Sequence, residues 1–139
     1  MIHKLVECIP NFSEGRSSTV VDAIAQAITG VPGAVLLDSG SDADHNRSVL
    51  TFAGPPEAVS QAAFEAIATA ASLIDMEQHE GEHPRMGACD VCPFIPVQGA
   101  TMADCVECAR EFGRLAAAEV GIPVYLYGHA ATAGEHRKL

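Results

Sequence analysis

One short stretch of this sequence concentrates side chains that could do chemistry. Residues 79–97 read HEGEHPRMGACDVCPFIPV and contain two histidines, two glutamates, an arginine and a Cys-x-x-Cys pair. Histidine and carboxylate side chains can transfer protons, whereas cysteine and histidine together can bind a metal ion. The two kinds of site need different surroundings, so the flanking residues can be used to compare them.

Four cysteines have the spacing of a zinc site. Cys89, Cys92, Cys105 and Cys108 form a C-x₂-C-x₁₂-C-x₂-C pattern, which is a strong zinc signal. The predicted local structure argues against a shared ion. Cys89 and Cys92 lie on a predicted strand, where an odd separation points them to opposite faces, and Cys105 falls on the buried stripe of a predicted helix. We therefore predict no metal, and a small zinc module remains the third of three hypotheses.

His83 is the best candidate for proton transfer. It lies between two glycines and directly before Pro84, and a residue before proline favours an extended loop over a helix. The ordinary pKa of histidine suits proton transfer near neutral pH. The residues alone leave an exposed loop histidine as the alternative, and His79 is a second candidate with weaker surroundings.

A second polar cluster precedes a predicted strand. His45, Asn46 and Arg47 lie in DADHNRS, and their side chains could all point into one cleft. Arg47 also belongs with Arg16 and Arg85, which occupy turn-rich segments of a chain whose formal net charge is −10. Arginines in such places could receive an anionic small molecule. Solvated loop arginines are the alternative.

The composition limits the classes of function. The chain has 139 residues, 48% of them hydrophobic and 19% charged, which predicts one folded domain with a sizeable core. The negative net charge argues against general binding to nucleic acid or to an anionic membrane. The N-terminus interleaves charged and apolar residues, unlike a signal peptide. Five cysteines in such a chain predict free thiols in a reducing cytoplasm.

Hydrophobic patterning predicts the order β-α-β-β-α-β-α-β. The apolar runs KLVECIPNF, AVLLDSG, RSVLTFAG, CDVCPFIPV and PVYLYG read as strands, the first stopping at Pro10 and the second buried and ending at Asp38. The predicted inward-facing helix residues are Val20, Val21, Ile24, Ala27 and Ile28; Val59, Ala63, Ala66, Ala70 and Leu73; and Met102, Cys105, Ala109, Phe112, Ala116 and Val120. This order predicts an α/β domain of the α+β kind, a ferredoxin-like mixed β-sheet with helices mainly on one face.

Four segments of the sequence together resemble a known family. LVECIPNFSEGR, LLDSGSDADHNRSVLTFAG, GEHPRMGACDVCPFIPV and IPVYLYG follow in this order over nearly the whole chain. They resemble the N-terminal subdomain of the formiminotransferase (glutamate formimidoyltransferase) family, which is found alone or fused to a cyclodeaminase. GEHPRMGA is the specific part, because no general structural requirement would produce it. The resemblance implies that residues 1–139 form this single subdomain and that the C-terminal subdomain of the family is absent.

The resemblance also implies a reaction and roles for individual residues. A formimino group would move from N-formimino-L-glutamate to tetrahydrofolate, the co-substrate, in histidine breakdown, without a metal. His83 would be the general acid and base, and Asp38 would orient it or stabilise charge. The substrate-binding residues are expected to be Arg47, Arg85, His45, Asn46 and Asn11. Cysteine is common in the family at positions 92 and 105, so the two Cys-x-x-Cys pairs would arise by coincidence.

The missing half of the family's domain leads to expectations about partners. The folate site of the family lies between its two subdomains, so a companion chain, a second subdomain or another copy of this chain is expected, and a homo-oligomer with it. We expect the His83 ring to be accessible beside an open cleft, with exposed apolar residues nearby. A stand-alone, non-catalytic binding protein on the same fold is the second hypothesis.

Overall fold

The computed structural model describes residues 4–74 and 89–121. Within these ranges the chain forms strands β1 (Leu5–Cys8), β2 (Asn11–Phe12), β3 (Val35–Asp42), β4 (Arg47–Gly54), β5 (Cys89–Val91) and β6 (Phe94–Gln98), and helices α1 (Ser18–Thr29), α2 (Pro56–Leu73) and α3 (Met102–Leu115). A π-helical turn, Ala116–Val120, follows α3 and ends at Gly121. The last predicted strand, PVYLYG, lies outside the described residues, as do His79, His83 and Arg85.

The strands form one sheet in which every described pairing is antiparallel. β4 pairs with β3 on one side and with β1 and β2 on the other, and β6 and β5 pair in turn with β1 and β2. Four rows result, β3, β4, β1/β2 and β6/β5, in the order typical of a split βαβ fold. The structure confirms the α+β class. No parallel pairing occurs among the strands of residues 4–74 and 89–121.

One face of the sheet is covered by the helices. Val6, Cys8, Leu50 and Phe52 point to this side and are 0% exposed. The helices pack as one layer over them, α1 against α2 and α2 against α3. The largest buried residues that the helices contribute are Val21, Ile24 and Ile28 from α1, Val59 and Ile67 from α2, and Phe112 from α3. We call this side the covered face.

The intervening residues of the same strands form the opposite side of the sheet. Glu7 and Thr51 alternate with the buried residues of β1 and β4 and are half-buried. Asn11 pairs with Val49 of β4, two residues from Arg47, and therefore belongs to this side. We call it the open face, since the helices of the described ranges lie on the other side.

The sequence also predicts the start of each helix, from a serine cap, a Pro-Pro pair and a capping box of Thr101 with Asp104 respectively. The Ser17 side chain accepts a hydrogen bond from the amide of Val20 and caps α1. α2 begins directly after Pro55, where a missing N–H costs little. Thr101 and Asp104 cap α3 reciprocally, each side chain accepting from the other residue's backbone amide. All three starts are confirmed.

The prediction for β3 was wrong in burial and in extent. β3 continues beyond Asp38 to Asp42, and Val35 and Leu37 are 57% and 56% exposed. Among the strands of residues 4–74 and 89–121 it pairs with β4 alone and forms an edge, so an apolar run along it stays accessible. Asp38 consequently lies within a strand and not at its end.

Two apolar residues at helix ends were also predicted wrongly. Leu73 is 48% exposed and Met102 is 45% exposed. At the end of α2 the backbone of Ile74 becomes extended, and Ile74 takes the buried position at 7% exposure. Met102 is the first residue of α3, ahead of the turn that packs on the core.

Candidate functional site

Asn11 and Arg47 are joined on the open face by a paired hydrogen bond. The guanidinium of Arg47 donates from Nε and from Nη2 to Asn11 Oδ1, at 3.1 and 2.8 Å. The amide of Asn11 is itself oriented, because its Nδ2 donates to the carbonyl of Ile9 at 3.1 Å. Both residues were predicted to bind substrate, and the structure brings them together. The pair holds a guanidinium in a fixed orientation, which suits recognition of a carboxylate.

The hairpin between β3 and β4 carries a second polar pair. Asp42 Oδ2 lies 2.6 Å from Nδ1 of His45, and Asp42 Oδ1 accepts from the backbone amides of Asp44 and His45. The hydrogen bond from His45 lowers the pKa of the Asp42 carboxyl, with the backbone amides adding to the effect. The imidazole is therefore held through Nδ1, which leaves Nε2 as the ring nitrogen suited to a ligand contact.

Asn46 has a structural position in the same hairpin. It is 5% exposed, its φ is 52°, and its Oδ1 accepts from the amide of Gly15 at 2.8 Å. A β-carbon on Gly15 would lie 2.4 to 2.5 Å from backbone atoms of Asp42 and Arg47. The backbone at Gly15, before α1, therefore packs directly against the β3–β4 hairpin and is hydrogen-bonded to Asn46.

Two further contacts fix the chain before α1. Arg16 Nε donates to the carbonyl of Ala43 at 2.8 Å, and the Glu14 carboxylate accepts from the amides of Arg16 and Ser17. Arg16 was predicted to lie in an anion-binding segment. Its side chain contacts the hairpin that carries His45 and Arg47. The sequence reasoning missed Gly15, although a glycine between charged residues in SEGR is a signal for a close backbone approach.

Asp38 lies on the same face but away from this cluster. It pairs with Thr51 on β4, four residues along the strand from Arg47, which is about 13 Å at the usual rise per residue. Its side chain is exposed. Among the described residues, the structure brings Asn11, Arg47, His45 and Asn46 to one end of the sheet and leaves Asp38 midway along β3.

The cysteines are all reduced thiols. The prediction that Cys89 and Cys92 point to opposite faces was wrong, because β5 ends at Val91 and the chain bends before β6. The Cys92 thiol is hydrogen-bonded to both Cys8 and Cys89. Cys105 and Cys108 are buried on α3, as predicted for Cys105. No group of three or more His, Cys, Asp or Glu residues in the described ranges is arranged to hold a metal ion.

Burial controls the acidity of these thiols. It raises the pKa of Cys8 and that of Cys108, and it raises the pKa of Cys105 to about 11. The hydrogen bond with Cys8 raises the pKa of the Cys92 thiol well above its usual value. These groups are protonated at neutral pH, so they pack as small apolar side chains. In the same described ranges, no helix has the length and apolar character needed to cross a bilayer.

Comparison with known proteins decides the family. The profile of the formiminotransferase domain, N-terminal subdomain, matches residues 5–139. The chain belongs to this family. It is 59% identical over 132 residues to the formimidoyltransferase-cyclodeaminase of Sus scrofa, and 47% identical over 136 residues to the glutamate formimidoyltransferase of Streptococcus pyogenes serotype M1. The glutamate formimidoyltransferase of Thermoplasma acidophilum is 51% identical over 127 residues.

The matches cover most of this chain but only part of each relative. They take in 94%, 98% and 91% of the chain, and 24%, 46% and 42% of the pig, Streptococcus and Thermoplasma proteins respectively. The chain therefore spans about a quarter of the bifunctional relative and less than half of the two others. The resemblance inferred from GEHPRMGA and its companion segments is confirmed.

Proposed function

We propose that this chain is the N-terminal, catalytic half of a glutamate formimidoyltransferase. It would move a formimino group between N-formimino-L-glutamate and tetrahydrofolate in the breakdown of histidine, in the cytoplasm. The observation that carries the proposal is the family match over residues 5–139, together with relatives that are named formimidoyltransferases. The matched range includes GEHPRMG and the polar end of the sheet.

The proposed reaction needs one group that both accepts and gives a proton. The amine of tetrahydrofolate attacks the amidine carbon of the formimino group, a tetrahedral adduct forms, and the amine of glutamate leaves. The attacking nitrogen loses a proton and the leaving nitrogen gains one. We assign both transfers to His83, and such catalysis is typically worth about 10²–10⁴ in rate. Asp38 is its proposed orienting or charge-stabilising partner.

Substrate binding is assigned to the polar end of the open face. Both substrates carry carboxylates, and a guanidinium held by an amide matches a carboxylate in shape and charge. The double hydrogen bond from Arg47 to Asn11 supports Arg47 as the carboxylate-binding residue and Asn11 as its positioning residue. His45 is proposed to contact substrate through its ring, Asn46 to act by holding the hairpin against Gly15, and Arg85 to supply a second cation.

A second subdomain or companion chain is part of the proposal. The chain spans less than half of its relatives, and Val35, Leu37 and Val97 are exposed by 56% or more. Large exposed apolar residues on a sheet favour association. We infer that a second subdomain completes the folate site. A non-catalytic binding protein on the same fold is the second candidate function, because the chain corresponds to less than half of each of these relatives.

Reconstitution tests the proposal. The chain is mixed with the C-terminal part of the Streptococcus relative that the match does not cover, and transfer to tetrahydrofolate is measured spectrophotometrically. His83→Ala should lower kcat by about 10²- to 10⁴-fold with KM nearly unchanged. His79→Ala, four residues away in the same segment, is the matched control and should change kcat by only a few-fold. The circular dichroism spectrum of both variants should match that of the parent chain.

Two results would contradict the proposal. Near-normal turnover by His83→Ala would remove the catalytic assignment. Tetrahydrofolate binding without any transfer, in every reconstituted mixture, would favour the non-catalytic binding protein.

A further inference from the structure

We propose that Cys8 and Cys92 are an oxidisable pair, a disulfide modification site that a small-molecule disulfide reaches through Cys89. The Sγ atoms of Cys8 and Cys92 are 3.5 Å apart. A disulfide bond is about 2.05 Å long, so closure needs an approach of about 1.5 Å. The site is independent of the proposed transfer reaction, because it lies on the covered face of the sheet.

The backbone already holds the two thiols together. Cys8 is the last residue of β1 and pairs with Phe94, and the amide of Ile9 donates to the carbonyl of Pro93 at 3.1 Å. Cys92 lies directly before Pro93, in the break between β5 and β6. Forming the bond therefore brings no new segments together. It links two segments that the sheet has already ordered.

Cys89 provides the route for an oxidant. Cys8 is 0% exposed, whereas Cys89 is only half-buried. The Cys89 thiol donates to the carbonyl of Val91 at 3.5 Å and also interacts with the thiol of Cys92. A dissolved disulfide can meet Cys89 without opening the core. Cys92 is also half-buried as a residue, but its sulfur is enclosed. The three thiols therefore follow one another from the surface to the interior in the order Cys89, Cys92, Cys8.

The chemistry is three successive thiol–disulfide exchanges. The Cys89 thiolate attacks the small disulfide RSSR, forms a mixed disulfide and releases the first RSH after protonation. The Cys92 thiolate attacks Cys89 Sγ and releases the second RSH. The Cys8 thiolate then attacks Cys92 Sγ, and Cys89 leaves and takes up a proton. Two protein thiols are oxidised and one small disulfide is reduced to two thiols, so atoms and electrons balance.

The rate should depend steeply on pH. The attacking species is the thiolate. Burial raises the pKa of Cys8, and the hydrogen bond with Cys8 raises the pKa of Cys92. Oxidation is therefore slow at neutral pH and accelerates as the pH rises. A linkage between residues 8 and 92 restricts the unfolded chain over most of the described length, which raises the stability of the oxidised form.

The test uses oxidised glutathione and the purified, fully reduced chain. After incubation at pH 8.5 under native conditions, remaining thiols are alkylated and peptides are mapped without reduction. We expect one new linked pair, Cys8 with Cys92, with the protein two hydrogens lighter. The Tm should rise by on the order of 10 °C and return after treatment with dithiothreitol.

Three variants separate the steps. Cys89→Ser should give the same Cys8–Cys92 product at least about 10-fold more slowly. Cys92→Ser should stop at a glutathione adduct on Cys89. Cys105→Ser, a buried cysteine outside the chain of thiols, is the control and should leave product and rate unchanged. A stable product that links Cys89 with Cys92, or a parent chain that keeps glutathione on Cys89, would overturn the pair, and an unchanged rate in Cys89→Ser would overturn the route.

Discussion

The two faces of the sheet are built from alternate residues of the same strands, yet they differ in every property that matters for function. On β4, Leu50 and Phe52 are 0% exposed beneath the helices, whereas Arg47 and Thr51 point to the open face and are half-buried. Because strand side chains alternate with a period of two, neighbouring residues point to opposite faces and have different roles. The covered face stabilises the fold, and the open face presents polar groups at fixed positions.

The polar groups of the two faces are also treated differently. On the open face, Asn11, Arg47 and Asp42 make hydrogen bonds that orient side chains beside solvent. On the covered face the ionisable groups are thiols whose pKa values burial raises, so they stay neutral. Ser48 also lies on the covered face, and its hydroxyl is buried without a hydrogen-bond partner in the described structure. Among these side chains of the sheet, the charged ones lie on the face where the proposed substrates bind.

The largest expected difference between the faces is in stability. Phe52→Ala should lower the free energy of unfolding by about 3–5 kcal/mol, because it leaves a cavity under the helices. Thr51→Ala, one residue away on the open face, should change it by less than about 1 kcal/mol. Urea unfolding followed by circular dichroism measures both. If Thr51→Ala were as costly as Phe52→Ala, the open face would be buried in solution and the contrast between the faces would be wrong.

Local patterns predicted most of the fold. The helix boundaries follow caps and stripes that lie within a few residues of one another, such as Ser17 with Val20 and Thr101 with Asp104. β4 was predicted at its full extent because it is central and alternates regularly. β3 was misjudged because whether Val35 and Leu37 are buried depends on which strand lies at the sheet edge. That is decided by pairing between distant segments, which a local apolar run does not reveal.

The site was predictable in residue type but not in arrangement. Asn11 and Arg47 were both named, yet their contact depends on the register in which Asn11 opposes Val49. The prediction that Cys89 and Cys92 point to opposite faces was wrong for a similar reason, since a bend after Val91 replaces a continuous strand. Gly15 was missed because the atoms that leave no room for a side chain belong to a hairpin about thirty residues away.

Gly15 tests how tightly the polar end of the open face is fixed to the fold. Gly15→Ala places a β-carbon 2.4 to 2.5 Å from the backbone of Asp42 and Arg47, so the hairpin must shift. We expect a loss of about 1–3 kcal/mol in unfolding free energy, with weaker binding of substrate in the reconstituted enzyme. Gly40→Ala is the matched control on β3, because nothing lies within 4 Å of its added β-carbon. Equal stability of the two variants would show that the hairpin gives way freely.

The smallest expected effect concerns the thiols of the covered face and appears only at alkaline pH. The pKa of Cys105 is raised from 9.0 to about 11 by burial. A thiol is neutral when protonated, and the folded state holds this proton more tightly than the unfolded state does. The resulting stability is fully present below pH 9 and is lost as the pH rises towards 11. At pH 10.5 the loss should be on the order of 1–2 kcal/mol.

Comparing Cys105→Ala with the parent chain separates the pH-dependent stability due to the Cys105 thiol from that due to the tyrosines and lysines, which also titrate. The difference in unfolding free energy between the two proteins should shrink between pH 8 and pH 10.5, because the variant has no proton to lose at this position. Phe112→Leu, on the same buried stripe of α3, removes packing without removing an ionisable group, so its difference from the parent should stay constant with pH. If the Cys105→Ala difference were equally constant, the thiol would ionise alike in the folded and unfolded states. The covered face would then admit water at α3, and the distinction between the two faces of the sheet would not extend to the helix layer.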